Sequence, residues 1–118
     1  MGQQKTFIKF IIPCWGIEKT IGRMLDSILK QTFADYHIVC VDDCSTDKTL
    51  DVLQQYKERF PDKITLIKNP KNLGAGASRN NGVEQTHDSV PSEFLWVVDG
   101  DDYIADANVL KDIHDFST

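Results

Sequence analysis

Four apolar runs that alternate with stretches of helical periodicity constrain the fold of this chain more than any other feature. The runs are FIKFII at 7–12, HIVCV at 37–41, KITLIK at 63–68 and EFLWVV at 93–98. Each run is short and rich in β-branched or aromatic residues, which is typical of a strand. Because strands that alternate with helices form a mostly parallel sheet covered on both faces, the pattern predicts a three-layer α/β/α fold.

Helical spacing follows the first two runs. A first helix is predicted over about 18–31 from the apolar positions Ile17, Ile21, Met24, Leu25, Ile28 and Leu29. A second helix is predicted to begin after a cap at Ser45 or Thr46 and to end at Pro61.

Two more helices are predicted in the second half of the chain. One covers about 75–86, after a loop rich in asparagine and glycine, and the other covers about 106–115 with Asp106 as its cap. The inward residues of the last helix are predicted to be Val109, Leu110 and Ile113.

Composition limits the classes of protein that fit. The chain has 118 residues, 41% of them hydrophobic and 26% charged, which favours one folded domain over 1–118. Its net charge of −5 disfavours binding to nucleic acid, and no apolar run reaches the roughly 20 residues of a membrane span. The cysteines, Cys14, Cys40 and Cys44, fit neither a paired zinc motif nor a disulfide framework, which favours a reducing, cytoplasmic compartment.

Polar and aromatic residues follow three of the predicted strands directly. The carboxyl ends of parallel strands lie at one edge of a sheet, and ligands of open α/β sheets bind at that edge. The residues concerned are Pro13, Trp15, Gly16 and Glu18 after the first strand, Asp42 and Asp43 after the second, and Asp99, Asp101 and Asp102 after the fourth. Their convergence predicts a ligand site.

The acids Asp99, Asp101 and Asp102 are packed within the sequence DGDD. A turn is the simplest interpretation, but a turn needs fewer acids. An EF-hand counted from Asp99 would need Gly and Glu where this chain has Ile104 and Leu110. The remaining interpretation is a hard divalent cation, Mg²⁺ or Mn²⁺, with coordination positions open for diphosphate oxygens. Such a cation would offset the repulsion between an acidic cleft and a diphosphate.

Other residues at this edge have two interpretations each. Asp42 and Asp43 fit a turn, or an acceptor site for a base N–H or a ribose hydroxyl. Trp15 fits core packing, or stacking on a flat base. Arg79, followed by Asn80, fits a solvent-exposed side chain, or a donor to a base carbonyl or phosphate.

Two alternatives for the site are disfavoured. A dinucleotide fingerprint beginning at Gly74 would need a third glycine where this chain has Arg79, and the loop follows the third strand instead of the first. A phosphoacceptor signalling domain would need its acids after the first and third strands, whereas the acids here follow the second and fourth.

Four stretches of the chain resemble the donor-binding half of an inverting family 2 glycosyltransferase with the GT-A fold, which is Rossmann-like. They read IIPCWGIEKTIGRMLDSILKQTF, VCVDDCSTDKTL, NLGAGASRNNG and FLWVVDGDDYI, and the resemblance covers about residues 7–115. It implies transfer of a sugar from a nucleotide diphosphate, usually UDP, to an acceptor hydroxyl, with Mn²⁺ or Mg²⁺ as the metal.

The resemblance also implies a role for each matching residue. The residues implied to bind the nucleotide sugar are Pro13, Trp15, Glu18, Asp42, Asp43, Arg79, Asn80, Asp99 and Asp101, and those implied to bind the metal are Asp101 and Asp102. Within this set Asp43 would accept a hydrogen bond from the uracil N–H, and Arg79 would lie near the base or the phosphates. Asp102 would serve the diphosphate as well as the metal.

The chain departs from the family pattern at Trp15-Gly16, where Tyr-Asn is usual, and at Cys44, where a small or Asn-like residue, often glycine, is usual. Related enzymes continue past the position of Thr118 with the acceptor site and a general base, commonly an aspartate. We therefore expect the catalytic base beyond residue 118. The chain is expected to be the donor half of a longer enzyme, or else a non-catalytic nucleotide-sugar-binding module or inactive fragment.

The resemblance implies partners as well. They are a nucleotide-sugar donor and a saccharide or lipid-linked saccharide acceptor, in the biosynthesis of a cell-envelope polysaccharide. The expected location is the cytoplasm, with peripheral contact at the inner face of the cell membrane as a further expectation. Apolar surface left by the last strand and helix favours a homo-oligomer or another partner.

Overall fold

The computed structural model describes residues 5–117 and confirms the predicted α/β class. Strands and helices alternate along these residues. They are β1 Thr6–Cys14, α1 Ile21–Leu29, β2 Tyr36–Asp42, α2 Thr49–Arg59, β3 Ile64–Lys68, α3 Ala75–Thr86, β4 Ser92–Val97 and α4 Val109–Ser117.

The strands of residues 5–117 form one parallel sheet in the order β3-β2-β1-β4. In this register Ile8 of β1 lies opposite Tyr36 of β2 on one side and Phe94 of β4 on the other. Strands β2 and β3 therefore add to the sheet on one side of β1, and β4 then pairs with the other side of β1. This reversal opens a crevice at the carboxyl ends of β1 and β4, which is where open α/β sheets bind ligands.

The sheet separates two apolar clusters, so the three predicted layers are confirmed. The first cluster joins the sheet to α1, α2 and α4, and its fully buried side chains include Phe10, Ile12, Leu25, Ile28, Leu53 and Leu110. The second cluster lies between the sheet and α3 and contains Ile11, Val39, Val41 and Ile67, with Val83 packed against them. Alternate residues of β1 and β2 supply the two faces, as the pleat of a strand requires.

Pro13 does not end β1, which continues to Cys14. Odd-numbered residues of β1 bond toward β4, as the hydrogen bond of 3.1 Å from Val98 N to Ile11 O shows. The β1–β4 ladder ends at the pair Ile11–Val97, so β4 is no longer alongside at Pro13. The N–H that proline lacks therefore leaves no ladder bond unmade, and the strand tolerates it.

The cap predicted for the second helix at Ser45 or Thr46 is wrong, because α2 begins only at Thr49. The carboxylate of Asp47 accepts the hydrogen bond from Thr49 N, at 2.9 Å. The hydroxyl of Ser45 instead accepts from Gly16 N, at 3.4 Å, and so joins the loop after β1.

The other helix boundaries shift by a few residues. α1 begins at Ile21 instead of about 18, and α4 begins at Val109 instead of 106. Asp106 accepts from Asn108 N at 2.8 Å, so it caps the turn that precedes α4. Leu110 is fully buried as predicted, whereas the prediction that Ile113 faces inward is wrong, since its side chain is 38% exposed.

Apolar surface is exposed on the last strand, as expected from the sequence. Phe94, Leu95 and Val97 of β4 are all about half exposed. Within residues 5–117, no helix combines the length and the apolar character that crossing a membrane requires.

Candidate functional site

One cavity of about 280 Å³ lies at the carboxyl edge of the sheet, between the loops after β1 and β4 and the start of α3. Its lining residues are Pro13, Cys14, Trp15, Ile17, Asp43, Ala75, Ser78, Asp99, Gly100 and Asp101. The structure thus brings together Pro13, Trp15, Asp43, Asp99 and Asp101 from the residues singled out in the sequence. We call this space the edge cavity.

The indole of Trp15 is 54% exposed, so the core-packing interpretation of this residue is wrong. Its loop is held by the first residue of α2 and by the segment before it. Ile17 N donates to Thr49 Oγ1 at 2.9 Å, and Glu18 N donates to Asp47 Oδ2 at 3.4 Å. The aromatic face is therefore presented at the rim of the edge cavity by a fixed backbone, while Glu18 lines a neighbouring cavity that also contains Asp101.

Asp43 is a buried carboxylate that organises the loop before α3. Its Oδ1 accepts from Asn69 Nδ2 at 3.0 Å and from Leu73 N at 2.7 Å, and its Oδ2 accepts from Gly74 N at 2.8 Å. Burial alone would raise the pKa of Asp43, but the hydrogen bonds from these groups and from Ser78 outweigh it and lower the pKa. The carboxylate is therefore held in its charged form.

Asp42, although adjacent in sequence, faces the other side of the sheet. Its Oδ2 accepts from Ser45 N at 3.3 Å, and its buried Oδ1 has no hydrogen-bond partner among residues 5–117. Successive residues of a strand point to opposite faces, and of the two acids only Asp43 lines the edge cavity. Next along the chain, Cys44 has φ 58, a left-handed conformation that favours glycine.

The carboxylates of the segment after β4 are exposed, and we call residues 99–103 the acid loop. A turn is present, since Asp102 N donates to Asp99 O at 3.2 Å. Asp99 and Asp101 line the edge cavity, whereas Asp102 accepts from Tyr103 N at 2.8 Å and lines an adjacent cavity that Asp99 shares. A Cβ on Gly100 would lie 2.2 Å from Ile17 Cδ1 and 3.2 Å from Ile21 Cδ1, so the absence of a side chain lets the acid loop approach the start of α1 and the loop before it closely.

The acid loop fits a divalent cation in donor chemistry. No group of three or more His, Cys, Asp or Glu side chains in the described part of the chain could enclose a metal by itself. Two exposed carboxylates on one cavity are, however, the number of protein ligands that Mg²⁺ commonly takes beside substrate phosphates. The acid loop supplies exposed oxygen donors of this kind, with Asp99 and Asp101 on the edge cavity and Asp102 on the adjacent cavity.

Arg79 and Asn80 are exposed on α3 and do not line the edge cavity. Sequence reasoning missed Asn69, which contacts the same helix. Asn69 connects Asp43 to α3, since its Nδ2 also donates to Ser78 Oγ at 2.9 Å and its Oδ1 accepts from Asn81 Nδ2 at 2.8 Å. The available signal was the asparagine that directly follows β3, at the same edge of the sheet as the acids.

Residues 9–115 match the model of the family described as Glycosyl transferase family 2. The chain belongs to this family. The GT-A fold expected from the sequence is confirmed by solved structures of relatives, and the recognition of a family 2 amino-terminal domain is confirmed with it.

Named relatives of this family 2 chain act in glycosyl transfer. It is 37% identical over 106 residues to a poly(ribitol-phosphate) beta-glucosyltransferase of Bacillus spizizenii, covering 88% of this chain and 16% of that protein. It is 36% identical over 104 residues to the poly(ribitol-phosphate) beta-N-acetylglucosaminyltransferase TarS of Staphylococcus aureus, covering 86% and 17% respectively. The chain therefore spans about one sixth of the length of these two relatives.

Solved structures show the same fold. S. aureus TarS 1–349 in complex with UDP-GlcNAc superposes with a TM-score of 0.79 at 35% identity, covering 93% of this chain and 30% of that one. A mannosyltransferase from Pyrobaculum calidifontis, in complex with GDP-Man and Mn²⁺, has a TM-score of 0.77, 23% identity and coverage of 92% and 32%. At that identity the second likeness concerns the fold alone.

Proposed function

We propose that this chain is the donor-binding part of an inverting glycosyltransferase that transfers a sugar from a UDP-sugar to an acceptor hydroxyl with the help of Mn²⁺ or Mg²⁺. The observation that carries the proposal is the edge cavity, which gathers an exposed aromatic, a fixed carboxylate and two free carboxylates at the strand-order reversal. The likeness to TarS 1–349, solved with UDP and with UDP-GlcNAc at 34% and 35% identity, supports UDP as the nucleotide.

The base is proposed to lie between Trp15 and Asp43. An indole that is half exposed can stack on a flat base, and every nucleobase has such a face. The carboxylate of Asp43 is oriented by hydrogen bonds from Asn69, Leu73 and Gly74 of the loop before α3, and by Ser78 of α3. Because this carboxylate lines the edge cavity, it is proposed to accept from the base N–H as well.

The diphosphate is proposed to lie toward the acid loop. Asp99 and Asp101 line the edge cavity, and Asp102 follows them in the next cavity along the loop. A bound divalent cation would supply the positive charge that a diphosphate leaving group requires. The contribution of the chain itself is to hold these carboxylates at fixed spacing, with Asp101 and Asp102 as the proposed metal ligands. Pro13, Glu18, Asp42, Arg79 and Asn80 remain proposed donor-side residues of the same edge.

We assign neither the acceptor site nor the base that takes the acceptor proton to any of residues 5–117. We propose a hydroxyl of a cell-envelope polysaccharide as the acceptor, because two relatives are poly(ribitol-phosphate) glycosyltransferases. The proposed location is the cytoplasm, at the inner face of the membrane. It is compatible with the three free cysteines Cys14, Cys40 and Cys44.

A calorimetric titration of UDP, with and without Mn²⁺, tests the proposal on the chain and on Asp101→Ala and Asp102→Ala. We expect binding that depends on Mn²⁺ and that both substitutions weaken by at least tenfold, since each removes a proposed ligand. Asp88→Ala is the matched control, because Asp88 is fully exposed in the turn between α3 and β4, at the opposite edge of the sheet. No binding to the wild-type chain, or Mn²⁺-dependent binding that survives both substitutions, would contradict the proposal.

A second candidate is a nucleotide-sugar-binding module without turnover, which the edge cavity itself favours, because its lining supplies groups for the donor. Incubation with radiolabelled UDP-GlcNAc and a polyol-phosphate acceptor distinguishes the two. Transfer supports the enzyme, whereas donor binding without transfer supports the module.

A further inference from the structure

The backbone that follows β4 is held by one side of α1. Positions 23, 27 and 31 are four residues apart and so lie on one side of the helix and its C-terminal extension. Arg23 Nη2 donates to Asp101 O at 3.1 Å, and Ser27 Oγ accepts from Ile104 N at 2.9 Å. Gln31 donates to Asp106 O at 2.8 Å and accepts from Leu110 N at 3.1 Å. We call these three side chains the α1 ladder.

Arg23 makes two contacts with the acid loop. Its guanidinium bonds the carbonyl of Asp101, and its central carbon lies 4.7 Å from the centre of the Tyr103 ring. These contacts fall on either side of Asp102, one of the proposed metal ligands. Arg23 also brings a positive charge to a loop with three carboxylates, which reduces their mutual repulsion.

Apolar contacts hold this segment at Gly100 and Ile104, on either side of the acids Asp101 and Asp102. A cavity of about 570 Å³ opens between α1 and the segment, and Arg23, Ser27, Lys30, Tyr103 and Ala107 are among its lining residues. The side chains of Asp99, Asp101 and Asp102 are exposed. Because the acid side chains are exposed, the polar bonds of the α1 ladder add a restraint on where the backbone between Gly100 and Ile104 lies.

We propose that Arg23, supported by Ser27, is a positioning residue for the donor-site carboxylates. It acts through the backbone of the acid loop and sets where Asp101 and Asp102 stand relative to the edge cavity. The inference rests on the proposed function, because it assigns these carboxylates to the metal and the diphosphate. It makes α1 a part of the donor site without any α1 side chain contacting the ligand.

The test compares Arg23→Ala, Arg23→Lys, Ser27→Ala and Ser27→Thr with the wild-type chain. Amide hydrogen exchange of residues 101–104 reports on the loop, calorimetry measures UDP affinity with Mn²⁺, and thermal unfolding reports on the fold. Arg59→Ala is the matched control, because Arg59, at the end of α2, likewise lies over aromatic rings, those of Tyr56 and Phe60, at 5.4 and 5.1 Å.

For Arg23→Ala we expect faster exchange in the acid loop and a loss of about tenfold in Mn²⁺-dependent UDP affinity, measured well below the unfolding midpoint. Arg23→Lys should recover part of the affinity, since an ammonium can bond one carbonyl but lacks the planar group that also covers Tyr103. Ser27→Ala should free the amide of Ile104, and Ser27→Thr should keep it protected. Arg59→Ala should change neither exchange nor affinity.

The outcomes separate this inference from the proposed function. If the wild-type chain binds UDP and Arg23→Ala lowers only the unfolding temperature, Arg23 has a structural role and the inference is overturned. If the wild-type chain binds no UDP, the proposed function fails, and exchange in the acid loop alone decides whether Arg23 positions it. Unchanged exchange in Arg23→Ala overturns the inference in either case.

Discussion

At the scale of single residues, protonation is controlled by burial and by hydrogen bonds. The hydrogen bonds that hold Asp43 in its charged form outweigh its burial and lower its pKa. His37 of β2 is the opposite case, because burial and the nearby Lys57, Lys63 and Lys9 lower its pKa to about 4 and keep it neutral. Each group therefore makes stability depend on pH, in a different range.

For His37 the sign follows from its lowered pKa. Above pH 6.5 the imidazole is neutral in both states, and as the pH falls toward 4 the unfolded chain takes up a proton that the folded chain does not. Stability is therefore lost between about pH 6.5 and 4. Asp43 affects stability at lower pH, since its stabilising charge is present above pH 3.8 and is lost below it.

We predict that His37→Gln makes the unfolding temperature less dependent on pH between 6.5 and 4, because glutamine can still bond Thr65 but does not titrate. Between pH 6.5 and pH 5 the unfolding temperature of the variant should fall by about 4 °C less than that of the wild-type chain. This difference corresponds to roughly 1 kcal/mol in a domain of this size after allowance for solvent screening. Thermal unfolding at several pH values measures it. The exposed His87, substituted by glutamine, is the control and should leave the profile unchanged; an equal slope in His37→Gln would refute the assignment.

At the scale of elements, α3 packs on the sheet through a glycine. A Cβ on Gly82 would lie 3.0 Å from Val41 Cγ2 and 3.2 Å from Ile11 Cγ2, closer than the packed side chains allow. The same helix carries Ser78, which contacts the Asn69 that Asp43 holds. A change in the distance between α3 and the sheet would therefore also move Ser78, which lines the edge cavity.

We predict that Gly82→Ala destabilises the protein by about 1–3 kcal/mol, because α3 must move away from the sheet to make room. Gly76→Ala, on the same helix with no atom within 4 Å of the added carbon, should be neutral or stabilising by about 0.5 kcal/mol. Urea unfolding measures both variants. Equal stability of the two alanine variants would show that α3 accommodates the methyl group and that the close approach is not required.

At the scale of the whole molecule, β4 is an edge strand of the described sheet, paired only with β1. Phe94, Leu95 and Val97 are 48%, 50% and 45% exposed on it. Edge strands in soluble proteins are usually protected by charge, proline or a covering element. The exposed apolar strand of this chain favours association through that edge.

We predict that the chain self-associates through β4 as its concentration rises. Leu95→Lys combined with Val97→Lys, two residues apart on one face, should keep it monomeric, because paired edges would place like charges together. Sedimentation equilibrium over a range of concentrations measures this. Leu73→Lys, an exposed apolar residue away from β4, is the control and should leave the association intact; a wild-type chain that stays monomeric throughout would contradict the prediction.

The sequence alone predicted every helix and strand of the fold in its correct order, because periodicity and strand propensity are local properties that neighbouring residues impose. It also placed Trp15, Asp43, Asp99 and Asp101 at one edge, since the carboxyl ends of parallel strands must meet there. It did not predict the start of α2, because Ser45 and Asp47 bond to the loop after β1 as well as to their own segment.

Only the tertiary structure decided the strand order, which acid of the pair Asp42-Asp43 lines the edge cavity, and which groups hold the acid loop. Strand order depends on contacts between residues that are distant in sequence. The face to which a side chain points depends on whether its position in the strand is odd or even, and pairing with the adjacent strands sets where the strand ends. The bond from Arg23 to Asp101 joins residues 78 positions apart. No local pattern contains a contact of that range, so it became visible only when α1 and the segment after β4 were packed together.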